Sequence, residues 1–294
     1  MATHDHIRNP VEWSVDQVRA AGAAVGHTTH AVIGPPLARE HTVPEIRRIE
    51  LSDLRDALDR GWADFMACRS DGIFIAIIYP LAGLMLAWSA FNYDFVPLLF
   101  PLLSGFALLG PVAAVGLYQM SRQRELGKAT GWGDAFGVVG TPAFGAIVVL
   151  GLILVGIFLL WLVTAYTIYQ ATMGQEGIVA LGPFLQNVVT TQEGRMLMVV
   201  GVGVGFLFAL VVLAISVVSF PMLLDRDCGV ATAVRTSIQA SLVNPVPIAV
   251  WGAIVAGGLA IGSLPFLLGL IVVVPVLGHA TWHLYRRLVP DSAR

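Results

Sequence analysis

The chain has 294 residues, 56% of them hydrophobic and 12% charged, with a formal net charge of −2 and a mean hydropathy of +0.78. A soluble domain carries about 25% charged residues, so this composition leaves too little polar surface for a water-soluble globule and makes lipid the solvent for the excess. Without a basic stripe interleaved with aromatics, it also argues against nucleic-acid binding.

Residues 1–48 are polar and interrupted by Gly22, Gly26, Gly34, Pro35, Pro36 and Pro44, which predicts a disordered tail with one short helix over 11–25. Five of the seven histidines fall here: His4, His6, His27, His30 and His41. Their spacing is irregular and no cysteine or carboxylate pattern accompanies them, so they read as solvated residues rather than a metal site.

An amphipathic helix is predicted over 51–66, within an interfacial segment 49–71. Leu51, Leu54, Leu58, Trp62 and Phe65 recur at steps of three and four, and Asp53, Asp56, Asp59, Arg60 and Asp64 fill the other face. Directly before a span, such a helix is expected in the membrane interface with its apolar face down; a regulatory docking surface is the alternative.

Six spans are predicted within a transmembrane domain 72–288, followed by a tail 289–294. They cover 72–91, 97–118, 144–169 and 196–224, then a stretch 245–285 that is twice one crossing. The last is split at Gly262-Ser263-Leu264-Pro265 into a hairpin. The first long apolar run begins near Gly72, too late for a cleaved leader, so the first span is expected to act as an uncleaved signal. The fold class is therefore all-α: a polytopic membrane helical bundle with cytoplasmic amphipathic helices.

Orientation follows from the basic residues. Sixteen of the seventeen lie in the N-terminal segment, in the loops after the second and fourth spans, or at the C-terminus; Arg195 alone lies opposite. This places both termini in the cytoplasm. Cys68 and Cys228 fall on that side, form no CxxC, and read as small packing residues.

A weak internal repeat accompanies the layout. Asp56-Ala57-Leu58, Asp134-Ala135-Phe136 and Ala233-Val234 each precede a breaking element: Ser70-Asp71-Gly72, Thr141-Pro142 and Asn244-Pro245. They suggest three units of cytoplasmic amphipathic helix plus helical hairpin, a pattern met in transporters and elsewhere.

Gly201, Gly203 and Gly205 lie inside an apolar helix with no following Lys-Ser/Thr, so close helix packing is expected of them rather than phosphate binding. Gly258 and Gly262 read the same way. Pro80, Pro111 and Pro275 fall within spans and are expected to kink them.

His279 and His283, spaced i and i+4, share one face of the last span. His279 lies about 10 Å inward of Arg286 at about 1.5 Å per residue, where an ionisable side chain needs a partner. That partner is a metal, quinone or haem, or else a Ser, Thr or kink-freed carbonyl. Asp225-Arg226-Asp227 closes the fourth span and is expected to pair with Arg286 or Arg287, fixing the fourth span against the sixth. HExxH, GxSxG and a carboxylate pair within a span are all missing, which argues against an enzyme.

Four runs carry a family resemblance: Pro101–Pro111 with Ala114–Tyr118; Ser219–Arg226; Asn244-Pro245 with Trp251-Gly252; and Val276–Arg286, which contains His279, His283 and Tyr285. Together, over residues 50–288, the chain resembles the DUF2189 family of predicted bacterial integral membrane proteins. The resemblance implies a multi-pass protein of the bacterial inner membrane and no activity. Members are sometimes labelled cytochrome oxidase subunit I-like; two span histidines on one helix are too few for an oxidase core, which needs about six for two haems and a copper. The resulting expectation is a non-enzymatic accessory, assembly or scaffold protein in contact with the bilayer and with a membrane-protein partner or a second copy. The alternatives are a small transporter or channel for a neutral solute, and a haem- or metal-binding protein using His279 and His283. No cofactor is predicted. The candidate functional residues are His279, His283, Asp225, Arg226 and Tyr285.

Overall fold

The structure, a computed structural model, describes residues 44–68, 73, 76–92, 96–128, 130–174 and 181–290. The tail expected over 1–48, with its five histidines, lies outside the described residues up to residue 43, as does 291–294. Among the described residues all regular structure is helical.

Helix α1 (Leu51–Ala67) begins where the Glu50 amide donates to the Asp53 carboxylate at 2.9 Å. α2 (Ile78–Asn92) follows and contains Pro80; helical bonding continues upstream of it, since the Ile77 amide donates to the Ile73 carbonyl at 3.0 Å. The expected second span is one apolar run in three pieces: α3 (Leu99–Leu108), α4 (Gly110–Ala113) and α5 (Val115–Glu125). The breaks at Leu109 and Ala114 flank Pro111, which lacks the amide needed to continue α3. α6 (Trp132–Phe136) is a single turn before the long α7 (Phe144–Thr172). Then come α8 (Leu181–Thr190), unforeseen from the sequence, α9 (Gln192–Ser216), α10 (Ser219–Asp225), α11 (Val230–Val243), α12 (Pro245–Ser263) and α13 (Leu270–Leu288). α1, α6 and α11 each lie ahead of longer apolar helices, but they differ in length from 5 to 17 residues, and α8 intervenes between α7 and α9.

Among the described residues, three helical stretches are long and apolar enough to cross a bilayer: Phe144–Thr172, Gln192–Asp225 and Pro245–Ser263. The shorter apolar helices Ile78–Ala90 and Val96–Leu108 add to them. α13 stands apart because its second half, from His279 onward, is polar. The break between α12 and α13 falls where the sequence splits the last stretch. Its turn carries Phe266 and Leu267 at φ of 50° and 66°, a left-handed conformation that costs non-glycine residues energy. Gly269 lets the turn close, because a Cβ there would stand 2.7 Å from the Gly262 carbonyl oxygen.

The glycine expectations divide. Gly205 meets the Trp161 ring, and Gly258 and Gly262 meet α13, but an added Cβ at Gly201 or Gly203 would find open space. Packing within the chain therefore does not account for Gly201 and Gly203, since α9 turns that face outward beside exposed Val199, Val202 and Phe206.

The densest packing lies at one end of the bundle. Leu117, Met120, Phe220, Trp282, Leu284, Tyr285 and Leu288 are all fully buried there. Buried Asn244 ties in the N-terminal segment: its carbonyl accepts from the Ile49 amide at 2.9 Å and its amide donates to the Arg47 carbonyl at 3.1 Å. The Arg47 amide in turn donates to the Leu288 carbonyl at 2.9 Å.

Candidate functional site

α1 rests on α13 rather than presenting its whole apolar face outward. Its covered face is Leu54, Ala57, Gly61, Asp64 and Phe65, while Leu51, Trp62 and Met66 are exposed. The contact is turned toward the small residues because Ala57 and Gly61 permit close approach. A Cβ on Gly61 would clash with the Ala280 backbone. On the opposite side of α13, Gly278 receives Leu117 of α5 in the same manner. This rotation corrects the sequence reading of Asp64: it is not on the solvent face but buried, 7% exposed.

Asp64 is the centre of a hydrogen-bonded chain through three helices. Its Oδ2 accepts from Ser121 Oγ at 2.6 Å and lies 2.9 Å from His283 Nε2. Its Oδ1 is 3.4 Å from Arg124 Nε. Ser121 Oγ also lies 2.8 Å from His279 Nδ1. A hydroxyl has one proton; with that proton committed to Asp64, the network assigns the Nδ1–H to His279, donating into the serine oxygen. The second nitrogen of buried His279, Nε2, finds no hydrogen-bond partner among the described residues. Burial by itself would raise the Asp64 pKa, but the hydrogen bonds from His283 and Ser121 and the nearby imidazoles outweigh it and hold the carboxyl below its ordinary range.

The order of groups is His279–Ser121–Asp64–His283, with serine between an imidazole and a carboxylate. A hydrolytic triad needs the imidazole between the other two, so this serine is not an activated nucleophile.

A second centre forms around Asp225, at the end of α10. Its carboxylate accepts from the Tyr285 hydroxyl at 2.8 Å and from Arg286 at 3.2 Å, and lies 3.6 Å from Arg122. Arg226 reaches the Tyr285 oxygen at 3.3 Å and the Pro290 carbonyl at 2.9 Å. Glu125 links the two centres, accepting from Trp282 Nε1 and from Arg286, each at 3.0 Å. Arg287 holds α1 through Asp56 and, at 3.6 Å, Asp53.

Between the centres lies a cleft of about 420 Å³, lined by Arg60, Arg124, Arg286, Arg287, Asp64 and Glu125, together with Ser121 and His283. All five residues singled out from the sequence lie at this end. His279 and His283 join the Asp64 centre; Asp225, Arg226 and Tyr285 form the other. Sequence reasoning missed Asp64, Ser121, Arg124 and Glu125. The available signal was the Ala57–Gly61–Asp64 stripe, whose small residues mark a contact face that the larger apolar residues of α1 do not.

Among the described residues, no group of three or more His, Cys, Asp or Glu is arranged to hold a metal ion. His279 and His283 each commit one nitrogen to a neighbour from another helix. Both cysteines are free. Burial pushes the Cys228 thiol up to about 11, which keeps it protonated and unreactive.

No curated protein and no solved structure matches the chain. A family model does, over a narrower stretch than the 50–288 read from the sequence, and it takes in Ser121, Arg124, Glu125 and Asp225 but stops short of α13. Residues 99–225 match the model of the DUF2189 family, described as a predicted integral membrane protein.

Proposed function

We propose that the protein is a non-enzymatic accessory, assembly or scaffold protein of the bacterial inner membrane, with its charged end and both termini on the cytoplasmic side. One observation carries the reading. The carboxylates of the site are committed to donors on other helices: Asp64 to Ser121, Arg124 and His283; Glu125 to Trp282 and Arg286; Asp225 to Arg122, Tyr285 and Arg286. Groups held this way brace α1, α5, α10 and α13 against one another. A general acid or base instead needs a free path to a substrate proton. The exposed stripe of Leu51, Trp62 and Met66 on α1 supports contact with the membrane interface.

Purification of the full chain from native membranes in mild detergent tests this reading. The expected result is a complex of fixed stoichiometry with another membrane protein, whose assembled fraction falls when this chain is deleted while the turnover of the complexes that do form is unchanged. Repeated isolation as a partner-free monomer, with no partner affected by the deletion, would overturn it.

A further inference from the structure

The cleft between the two ion-pair centres has a charge balance that bracing alone does not require. Four of its lining residues are arginines and two are carboxylates. Arg124 lies against Asp64, and Arg286 against Glu125. The excess comes from Arg60 and Arg287, whose acidic partners Asp56 and Asp53 do not line the cleft. The Arg60–Asp56 pair spans 3.5 Å with both side chains well exposed, so it holds Arg60 only weakly. A ligand entering the cleft therefore meets a lining with four guanidinium groups and two carboxylates. The guanidinium fork suits an anion that presents two or more oxygens.

The position of the cleft along the helices suggests one source of such anions. Along α13 the apolar run ends at Leu277 and Arg286 follows nine residues later, about 13 Å further along the axis. α5 makes the same passage, from buried Leu117 to Arg124 and Glu125. The arginines thus stand past the end of the apolar run, at the end of the bundle where the basic segments gather, and basic pockets between helices at such an end are suited to anionic headgroups.

We propose that this cleft binds a phosphate-bearing anion, with Arg60 and Arg287, whose carboxylate partners lie outside its lining, supplying guanidinium donors. A phospholipid headgroup and free inorganic phosphate share this chemistry, and the test separates them. Full-length protein is stripped of lipid in detergent, and its thermal unfolding is followed with added phosphatidylglycerol, phosphatidylcholine or inorganic phosphate.

Phosphatidylglycerol is expected to raise the midpoint where phosphatidylcholine does not. In Arg60→Gln the apparent affinity is expected to fall about fivefold, the effect of one basic residue facing an anionic surface. Arg195→Gln, distant from the cleft in the sequence layout, should retain the full response. Stabilisation by inorganic phosphate that phosphatidylglycerol does not exceed, and that Arg60→Gln weakens, assigns the cleft to soluble phosphate. Equal responses to both lipids with none to phosphate, or an undiminished response in Arg60→Gln, would overturn the proposal. Because Arg60 is exposed and, among the described residues, pairs with Asp56 one turn away on α1, its variant tests the cleft without dismantling the bundle.

Discussion

Gly61 of α1 lies so close to Ala280 of α13 that a Cβ built on the glycine would stand 2.6 Å from the alanine Cβ and 2.6 Å from its backbone nitrogen. This contact sets the spacing of the two helices, and the spacing delivers the Asp64 carboxylate to Ser121 and His283. Gly61→Val is expected to force the helices apart at a cost of about 3 kcal/mol, the upper end for overpacking. The midpoint of thermal unfolding in detergent checks it; an unchanged midpoint would show that α1 is not held by this contact.

Removal of the Asp64 carboxylate should be costlier than its exposed neighbours suggest. Asp64→Ala leaves His283, Ser121 and Arg124 without their shared acceptor, and breaking a buried pair from one side costs about 3–5 kcal/mol. Asp59→Ala, on the outer face of the same helix, should stay within about 0.5 kcal/mol. Comparable losses in the two variants would contradict the central position given to Asp64.

The same carboxylate predicts a dependence on pH. Its pKa is below 3.8 in the folded chain, so as pH falls the unfolded chain takes up this proton first. The stabilisation it provides is full well above 3.8 and is lost as pH drops through the lower folded value. The advantage of the native chain over Asp64→Asn should accordingly shrink on acidification below 3.8. Unfolding midpoints of both chains across the acid range measure this; a gap that widens with acid has the wrong sign for the assigned network.

Tyr285 is fully buried, and its hydroxyl donates to Asp225 while accepting from Arg226. Tyr285→Phe keeps the packed ring and deletes both bonds. Hydrogen bonds to charged groups contribute about 1.5–3 kcal/mol, so the variant should lose about 2 kcal/mol of stability. Tyr166→Phe, half-exposed on α7, loses only an exposed bond from Gln170 to its hydroxyl and should cost clearly less.

Orientation is open to a direct measurement. The arginine distribution predicts that a reporter fused after Arg294 is active in the cytoplasm and silent in the periplasm. The structure brings four of the basic segments, on α1, α5, α10 and α13, to one end of the bundle through pairs such as Arg124–Asp64 and Arg286–Asp225. Activity in the periplasm would therefore invert all four together.

Legibility in the sequence followed the range of the interactions involved. The apolar runs that become α7, α9 and α12, and the turn that separates α12 from α13, are local properties of composition and breaking residues. So is the facing pair His279 and His283, since i and i+4 share a helix face whatever surrounds them. The pieces of the second span were not legible, because a proline permits a break without dictating how many. Nor was α8, although Leu181, Phe184, Leu185, Val188 and Val189 carry its helical period.

What the sequence by itself determined is the solvent: stretches this apolar enter lipid, and a helix satisfies its own backbone there whatever its neighbours are. What only the tertiary structure decided is which polar groups share a site. Asp64, Ser121 and His283 are separated by 57 and more residues, and nothing in their local pattern links them. They meet because two small residues, Gly61 and Ala280, let one helix settle against another and turn an acidic residue inward.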